Sequence, residues 1–136
     1  MKRVNAIIEA RMGSSRLPGK TMMEILGKPS IELLMERLRR ARRITDIVMA
    51  TTVNAEDDVI AAFCLDYGVK CFRGSSEDVL ARVYHAAREH RTDVIVEVTG
   101  DCPLLDPWLI DACIDVFLKA DYDYLSNFIE QSYPPG

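Results

Sequence analysis

The sequence of 136 residues lacks the residue patterns that several common kinds of site require. Its four cysteines form no Cys-x-x-Cys pair, and its two histidines, His85 and His90, lie five residues apart instead of the four that a helical metal pair needs. No Ser-His or Cys-His couple stands out as a nucleophile with its base. No apolar run approaches the roughly 20 residues of a membrane-spanning helix. The sequence therefore gives no support to a zinc site, covalent catalysis or a membrane span.

The cysteines are expected to be reduced and to pack in the interior, because nothing about their spacing indicates a disulfide framework. They are Cys64, Cys71, Cys102 and Cys113. At the N-terminus, the basic Met1–Arg3 is followed by an apolar stretch that is short and is interrupted by Asn5 and Glu9. That pattern fits a strand and does not fit a signal peptide. We expect a cytoplasmic protein.

The composition is that of an ordinary soluble protein, with 49% hydrophobic and 28% charged residues. A chain of this length forms one domain, residues 1–136, with its own core. The net charge of −4 argues against general nucleic-acid binding, although arginines crowd the end of one predicted helix. Cations there complement the helix dipole and are usually solvated. The arginines are Arg37, Arg39, Arg40, Arg42 and Arg43.

The most informative stretch is residues 10–20, called the phosphate loop below, which follows the apolar run from Val4 to Ile8. Gly13 and Gly19 allow the backbone to turn sharply and to bring its N–H groups close to a ligand. Three cations accompany these glycines. Backbone donors together with cations suit a polyphosphate, and the alternative is a flexible surface loop with solvated charges. The cations are Arg11, Arg16 and Lys20.

The same stretch narrowly misses the P-loop pattern of kinases and NTPases. That pattern needs four residues between its glycine and Gly-Lys-Ser/Thr, whereas five residues separate Gly13 from Gly19. The rigid Pro18 and the additional Arg16 are also foreign to a P-loop. A phosphate-binding loop of another family fits better.

Strand and helix patterns alternate along the chain, which predicts a Rossmann-like three-layer α/β/α domain with a mainly parallel sheet. The predicted strands are 4–10, 47–52, 69–72, 94–98 and 122–128. The predicted helices are 29–43, one capped by Asn54 and stopped by Gly68, 79–90, and one beginning at Asp106-Pro107. Ser75 and Asp78 resemble a capping box before the third helix. The predicted core face of that helix is Val79, Leu80, Val83, Tyr84 and Ala87.

In such sheets, ligands bind at the carboxyl ends of the strands, beside the first strand. If the first and fourth strands are neighbours, the phosphate loop meets the loop that contains Gly100 and Asp101. Asp101 is either a magnesium ligand or a turn-forming residue before Pro103, and its spacing favours neither. Asp106 is explained by helix capping alone.

Four motifs, in this order along the chain, resemble those of the cytidylyltransferases that activate acidic sugars as CMP-sugars. Their sequences are most similar to the branch called spore coat polysaccharide biosynthesis protein F. The motifs are Ile8–Lys20 with Gly27-Lys28-Pro29, Ala50-Thr51-Thr52, Arg73–Leu80 and Thr99–Pro107. Such proteins are considerably longer, so the chain resembles their N-terminal part and is expected to be a truncated nucleotide-binding domain. Nothing after Asn127 resembles an acceptor site.

The resemblance implies a nucleotide-diphospho-sugar transferase type of fold, binding of CTP with magnesium, and a sugar or sugar acid as the second substrate. Arg11 and Lys20 would contact the phosphates as catalytic cations, and Asp101 would hold magnesium. The local alternatives are a strand terminus for Thr51 and Thr52 and the capping box for Ser75 and Asp78. The implied nucleotide-binding residues are Ala10, Arg11, Met12, Gly13, Ser14, Lys20, Thr51, Thr52, Arg73, Gly74, Ser75 and Asp78.

The implied reaction is attack of the sugar on the α-phosphate of CTP with release of pyrophosphate, in surface-polysaccharide biosynthesis. Positioning and charge neutralisation dominate such transfers, which suits a site without a nucleophilic couple. Two alternatives remain: a nucleotide-binding module without turnover, and a P-loop kinase or NTPase. An exposed sheet edge would favour a homodimer.

Overall fold

The computed structural model of the protein describes residues 1–128. This part of the chain contains six strands, four α-helices and two single 3₁₀ turns, Lys20–Met22 and Ala55–Asp57. The strands are β1 (Val4–Glu9), β2 (Glu24–Ile25), β3 (Lys28–Pro29), β4 (Asp46–Thr52), β5 (Lys70–Gly74) and β6 (Val94–Thr99). The helices are α1 (Ser30–Leu38), α2 (Asp58–Tyr67), α3 (Val79–Glu89) and α4 (Pro107–Lys119).

Four strands form one parallel sheet in the order β5-β4-β1-β6. Ile7 of β1 lies opposite Val48 of β4 on one side and Glu97 of β6 on the other, so β1 is central. The chain runs outward from β1 through β4 to β5 and then returns across the sheet to β6. This is the predicted Rossmann-like α/β topology, and its point of reversal lies between β1 and β6.

The sheet separates two apolar cores. On one face, α1, α2 and α4 bury Leu34, Ile60 and Ile110 against strand residues that include Ile8. On the other face, α3 is the one helix of residues 1–128 that packs over the sheet, and it buries Val83. Burial on both faces explains why β1 reads as a nearly continuous apolar run and not as an alternating pattern.

Helix α1 is shorter than the predicted helix 29–43, because it ends at Leu38. The amides of Arg42 and Arg43 donate to the carboxylate of Asp111 in α4, each at 2.9 Å. The backbone there is therefore bound to another helix and does not continue α1.

The arginine cluster at this corner is used inside the protein. The guanidinium of Arg37 donates to the carbonyl of Leu105 at 2.7 Å, and that of Arg39 lies 4.5 Å from the centre of the Tyr67 ring. Arg42 likewise lies over Trp108 at 5.6 Å, and Arg43 pairs with Asp115. These four arginines therefore contact neighbouring groups of the protein, whereas the sequence pattern predicted a solvated face.

The predicted fifth strand, 122–128, is wrong. This segment is irregular, and it pairs with no strand among the residues that the structure describes. Its aromatic side chains are exposed, with Tyr124 at 80% and Phe128 at 83%. Aromatic composition favours a strand only where a partner strand supplies the ladder, and none is present here. Residues 129–136, which follow this segment, lie outside the described part of the chain.

Helix α3 begins at Val79, as predicted, but its N-cap and its buried face differ from prediction. Asp78, not Ser75, is the N-cap, since its carboxylate accepts the amide of Ala81 at 2.8 Å. The core face includes Arg82, which is 2% exposed, whereas the predicted core residues Leu80 and Tyr84 are 75% and 50% exposed. The hydrophobic pattern failed here because a buried arginine replaces an apolar side chain.

Other expectations hold or are refined. Gly68 ends α2 in the left-handed conformation, at φ 70°, and Asp106 caps α4 with Pro107 as its first residue. The four cysteines are unbridged, with Cys64 fully buried. The β2-β3 hairpin, which turns through Leu26 and Gly27 at positive φ, was not predicted. Across residues 1–128, no helix has the length and apolar character needed to cross a membrane.

Candidate functional site

The phosphate loop and the loop after β6 meet at the carboxyl edge of the sheet. The Lys20 ammonium forms an ion pair with the Asp101 carboxylate, and the amide of Gly100 donates to the carbonyl of Glu9 at 2.8 Å. A Cβ atom at Gly100 would lie 2.9 Å from both the Glu9 carbonyl oxygen and the Ala10 Cβ. These two segments approach so closely that only glycine fits at position 100. This neighbourhood follows directly from the pairing of β1 with β6.

The phosphate loop closes on the carbonyl of Met12. That oxygen accepts the amides of Ser14 and Gly19, each at 2.9 Å, and Gly19 has a φ of 74°. The Ser14 hydroxyl also accepts the Leu17 amide at 3.4 Å. These bonds fold residues 12–19 into a compact ring without a helix directly behind it, unlike a P-loop.

Two cations of the phosphate loop are exposed at this edge of the sheet. The guanidinium groups of Arg11 and Arg16 are exposed and make no hydrogen bond or ion pair with any residue from 1 to 128. The N–H groups of Gly13 and Ser15 are similarly without a hydrogen-bond acceptor in that range. The loop therefore presents positive charge and free backbone donors together, which is the chemistry that an anion requires.

Behind the loop lies Asp57, a fully buried carboxylate that the sequence analysis did not single out. Its Oδ1 accepts the amide of Met12 at 2.6 Å, and its Oδ2 accepts the hydroxyl of Thr52. Asp57 thus joins the phosphate loop to the end of β4. A run of three acidic residues, Glu56 to Asp58, was the only signal in the sequence, and it reads equally well as a solvated helix start.

The structure places Thr51 and Thr52 in the interior, both at 0% exposure. Arg73 lies next to them, and its guanidinium donates to the carbonyls of Thr52 and Asn54 at 2.8 Å each and pairs with Asp58 at 2.7 Å. Gly74 ends β5, and its carbonyl accepts the amide of Val53 at 3.1 Å. Thr51, Thr52, Arg73 and Gly74 are predicted nucleotide-binding residues, and in the structure they are buried or bound to other residues of the protein.

Ser75 and Asp78 shape the turn between β5 and α3. The Ser75 hydroxyl accepts the amides of Glu77 and Asp78 at 3.2 and 3.0 Å. From below, the buried guanidinium of Arg82 donates through Nη1 to the Ser75 carbonyl at 2.6 Å, while its Nε has no partner in the described part of the chain. Arg82 was missed because a charged residue at a helix position is normally assigned to solvent.

The electrostatics of the site centre on Lys20, Asp101 and Glu9. The hydrogen bond from the Lys20 ammonium holds the pKa of Asp101 below its usual value, so this carboxylate stays ionised. Desolvation, together with the nearby carboxylate of Glu97, raises the pKa of Glu9 at the end of β1. Burial lowers the pKa of Arg82, which Glu9 partly opposes. Charges of both signs are therefore held at one edge of the sheet.

Residues 1–128 contain no cluster of three or more side chains of the metal-binding types. Asp101 is the carboxylate that pairs with Lys20 of the phosphate loop, and its side chain is 42% exposed. The carboxylate of Glu56 also lies beside this loop, against Gly13. Magnesium is commonly held by one or two carboxylates, with water and substrate phosphates completing its shell. The oxygen donor of Asp101 fits that use, provided that a ligand supplies the other oxygens.

A depression at the opposite, amino-terminal edge of the sheet is a weaker candidate. It is lined by the end of α1 and the starts of β4 and β5, including Thr45 and Val69, and the Asp46–Lys70 ion pair lies within it. Ligands of open parallel sheets bind at the carboxyl ends of the strands, so this depression is on the wrong side.

A protein-family model described as "Cytidylyltransferase" matches residues 5–132 of the chain. An uncharacterised protein of Methanocaldococcus jannaschii is 42% identical over 125 residues, which are 92% of this chain and 51% of that protein. Spore coat polysaccharide biosynthesis protein SpsF of Bacillus subtilis is 36% identical over 127 residues, covering 89% of this chain and 53% of SpsF. The chain thus spans about half the length of these curated relatives.

Solved structures agree with this relationship. A cytidylyltransferase from Leptospira borgpetersenii superposes with a TM-score of 0.84 at 36% identity, over 89% of this chain and 51% of that one. CMP:2-keto-3-deoxy-manno-octonic acid synthetase, solved in complex with CTP, superposes with a TM-score of 0.74 at 25% identity, over 87% of this chain and 48% of that one. Both therefore have the fold described above across their matching halves.

Proposed function

The chain belongs to the cytidylyltransferase family, and we propose that it binds CTP at the carboxyl edge of its sheet. We propose further that it is the nucleotide-binding part of a nucleotidyltransferase that activates a sugar or sugar acid as its CMP derivative. The observation that carries this proposal is the meeting of Lys20 and Asp101 beside the free cation Arg11. The name of one relative, spore coat polysaccharide biosynthesis protein SpsF, supports a role in surface-polysaccharide biosynthesis. A cytoplasmic location, where CTP is available, is part of the proposal.

In the proposed complex, Arg11 and Lys20 contact the phosphates of CTP. Ala10, Met12, Gly13 and Ser14 bound the nucleotide on one side. On the other side lie the turn from Gly74 to Asp78 and, behind it, the buried Thr51 and Thr52 with the half-buried Arg73 that donates to the Thr52 carbonyl. Each element reaches the same edge because parallel strands end there together.

The proposed reaction is attack of an oxygen of the sugar or sugar acid on the α-phosphate, with pyrophosphate as the leaving group. Magnesium, when bound, neutralises phosphate charge. Asp101 would provide a ligand to it, while Arg11 and Lys20 orient the triphosphate and offset its remaining charge. Breaking the Lys20–Asp101 ion pair would free the ammonium for phosphate and the carboxylate for magnesium.

The first test is calorimetric titration of CTP into the wild-type protein and the variants Arg11→Ala and Lys20→Ala. A charge-assisted hydrogen bond contributes about 1.5–3 kcal/mol, so each variant is expected to bind CTP about tenfold or more weakly. Arg88→Ala, which removes an exposed arginine that lies over Tyr84, is the matched control. Unchanged affinity in both site variants would refute the proposed phosphate contacts.

A second candidate is a nucleotide-binding module without turnover. It is favoured by the sparse acidic set of the site, since residues 1–128 contain no cluster of three metal-binding side chains. Pyrophosphate release in the presence of CTP and sugar acids separates the two candidates. We also propose a homodimer through the open edge of β6, where Ile95 is 42% exposed. Sedimentation as a monomer would remove this part of the proposal.

A further inference from the structure

We infer that Asp57 is a positioning residue that fixes the shape of the phosphate loop and links it to the 73–78 turn. The inference rests on the proposed function, since it concerns how the same loop receives the phosphates of CTP. Asp57 lies behind the loop and acts through Met12 and Thr52, not through contact with a ligand.

The first step is the geometry of the buried carboxylate. Asp57 is 0% exposed, and each of its oxygens accepts one hydrogen bond from a different segment: Oδ1 from the Met12 amide at 2.6 Å and Oδ2 from the Thr52 hydroxyl. Burying a carboxylate is unfavourable unless such bonds compensate. A charged group kept at this position therefore holds together the two segments that donate to it.

Met12 connects Asp57 to the hydrogen bonds that close the phosphate loop. The Met12 amide is fixed by Asp57, and the carbonyl of the same residue accepts the amides of Ser14 and Gly19. Met12 is thus the residue on which the ring of the phosphate loop closes. The amides of Gly13 and Ser15 keep no acceptor within residues 1–128, and their orientation follows from that ring.

The third step extends the network to the other side of the proposed nucleotide site. The Thr52 hydroxyl, which donates to Asp57, also accepts the Asn54 amide at 3.1 Å. The carbonyls of Thr52 and Asn54 in turn hold the guanidinium of Arg73. Arg73 lies near the end of β5, the strand that leads into the turn before α3, so the hydrogen-bond network of Asp57 extends from the phosphate loop to the start of that turn.

A purely electrostatic effect of Asp57 would have the opposite sign. A negative charge behind a phosphate-binding loop repels a triphosphate, so Asp57→Asn would strengthen binding if charge alone mattered. If Asp57 positions the loop, the same substitution weakens binding. An asparagine side chain has one acceptor oxygen where the carboxylate has two, so the loop is held less firmly. The direction of the change therefore separates the two explanations.

The test compares wild type, Asp57→Asn and Asp66→Asn by calorimetry with CTP, inorganic tripolyphosphate and cytidine. Asp66 is an exposed carboxylate on α2, the helix that directly follows Asp57, and it controls for the change in net charge. We expect Asp57→Asn to lower the affinity for CTP and tripolyphosphate about tenfold or more, and to leave cytidine binding and the Asp66→Asn affinities within about twofold. Circular dichroism checks that each variant is folded.

Amide hydrogen exchange supplies a readout that is independent of any ligand. In Asp57→Asn, the Met12 amide should exchange faster than in wild type, while core amides such as that of Ile8 keep their protection. Thr52→Val removes the second donor and keeps the carboxylate, so it should weaken tripolyphosphate binding in the same direction. This variant keeps the inference testable if Asp57→Asn does not fold.

Unchanged or stronger tripolyphosphate binding by the folded variants would overturn the inference, as would equal losses for cytidine and tripolyphosphate. If wild type binds tripolyphosphate but not CTP, the proposed function fails and the inference is judged on tripolyphosphate alone. If wild type binds neither, both are overturned.

Discussion

Glu9 occupies the last position of β1, where the protein favours its neutral form. Desolvation and the nearby Glu97 raise its pKa above the ordinary value of 4.5, and Arg82 opposes this shift without cancelling it. A carboxyl group with a raised pKa in the folded state gives its full contribution to stability below the unfolded pKa. That contribution is lost as the pH rises through the folded pKa.

We therefore predict that Glu9→Gln is more stable than wild type at pH 7, and that the difference disappears below about pH 4.5. The measurement is urea unfolding across this pH range. Glu24→Gln, which changes an exposed carboxylate on β2, serves as the control and should show no such trend. A Glu9→Gln advantage that grows as the pH falls would contradict the assigned pKa direction.

At the residue scale, the predicted strand order indicated which loops of the candidate site lie together, whereas the nucleotide-binding roles of their residues stay predictions. Lys20 and Asp101 are 81 residues apart in the sequence. They meet because the loops after β1 and β6 lie at the same edge of the sheet, as the predicted strand order indicated. Asp57 and Arg82 could not be predicted, since their partners Met12 and Ser75 are brought to them only by tertiary packing. Hydrophobic and capping patterns within one segment do not indicate such long-range contacts.

At the element scale, the corner between α1 and α4 depends on one carboxylate. Asp111 accepts the amides of Arg42 and Arg43, in the segment between α1 and β4. The neighbouring Asp115 makes only a side-chain ion pair with Arg43, at 2.8 Å. Backbone hydrogen bonds to a carboxylate contribute more to stability than an exposed ion pair does.

We predict that Asp111→Ala lowers the free energy of unfolding by about 1–2 kcal/mol, whereas Asp115→Ala lowers it by less than about 1 kcal/mol. Chemical denaturation of the two variants beside wild type provides the comparison. Equal losses for both variants, or none for Asp111→Ala, would mean that the two amides do not depend on Asp111.

Element positions were predicted more accurately than element ends and faces. The four strands of the main sheet lie within two residues of their predicted bounds, because each is an apolar run between turn residues. Helix α1 ends at Leu38, before its predicted end at Arg43, and the amides of Arg42 and Arg43 bind Asp111 instead of helix carbonyls. Helix α3 buries a different face from the predicted one, because Arg82 is part of that face. The β2-β3 hairpin, with Leu26 at a φ of 53°, has no turn signal other than Gly27.

At the scale of the whole molecule, the two edges of the sheet differ in chemistry. The carboxyl edge holds the phosphate loop, Asp101 and the 73–78 turn. The amino edge holds the depression near Thr45 and Val69, with the Asp46–Lys70 ion pair. The proposed function requires the nucleotide to bind at the first of these edges, and the second edge serves as an internal control for location.

The most direct test is to follow the backbone amide signals of the ¹⁵N-labelled protein by NMR while CTP is added in the presence of magnesium. We predict that the perturbed amides cluster in residues 10–20, 73–78 and 99–101, and that Asp101→Asn removes the dependence on magnesium while the fold is retained. Signals from residues 44–47 and 68–70 should remain in place. Perturbations confined to that amino-terminal edge, or no perturbation at saturating CTP, would contradict the account.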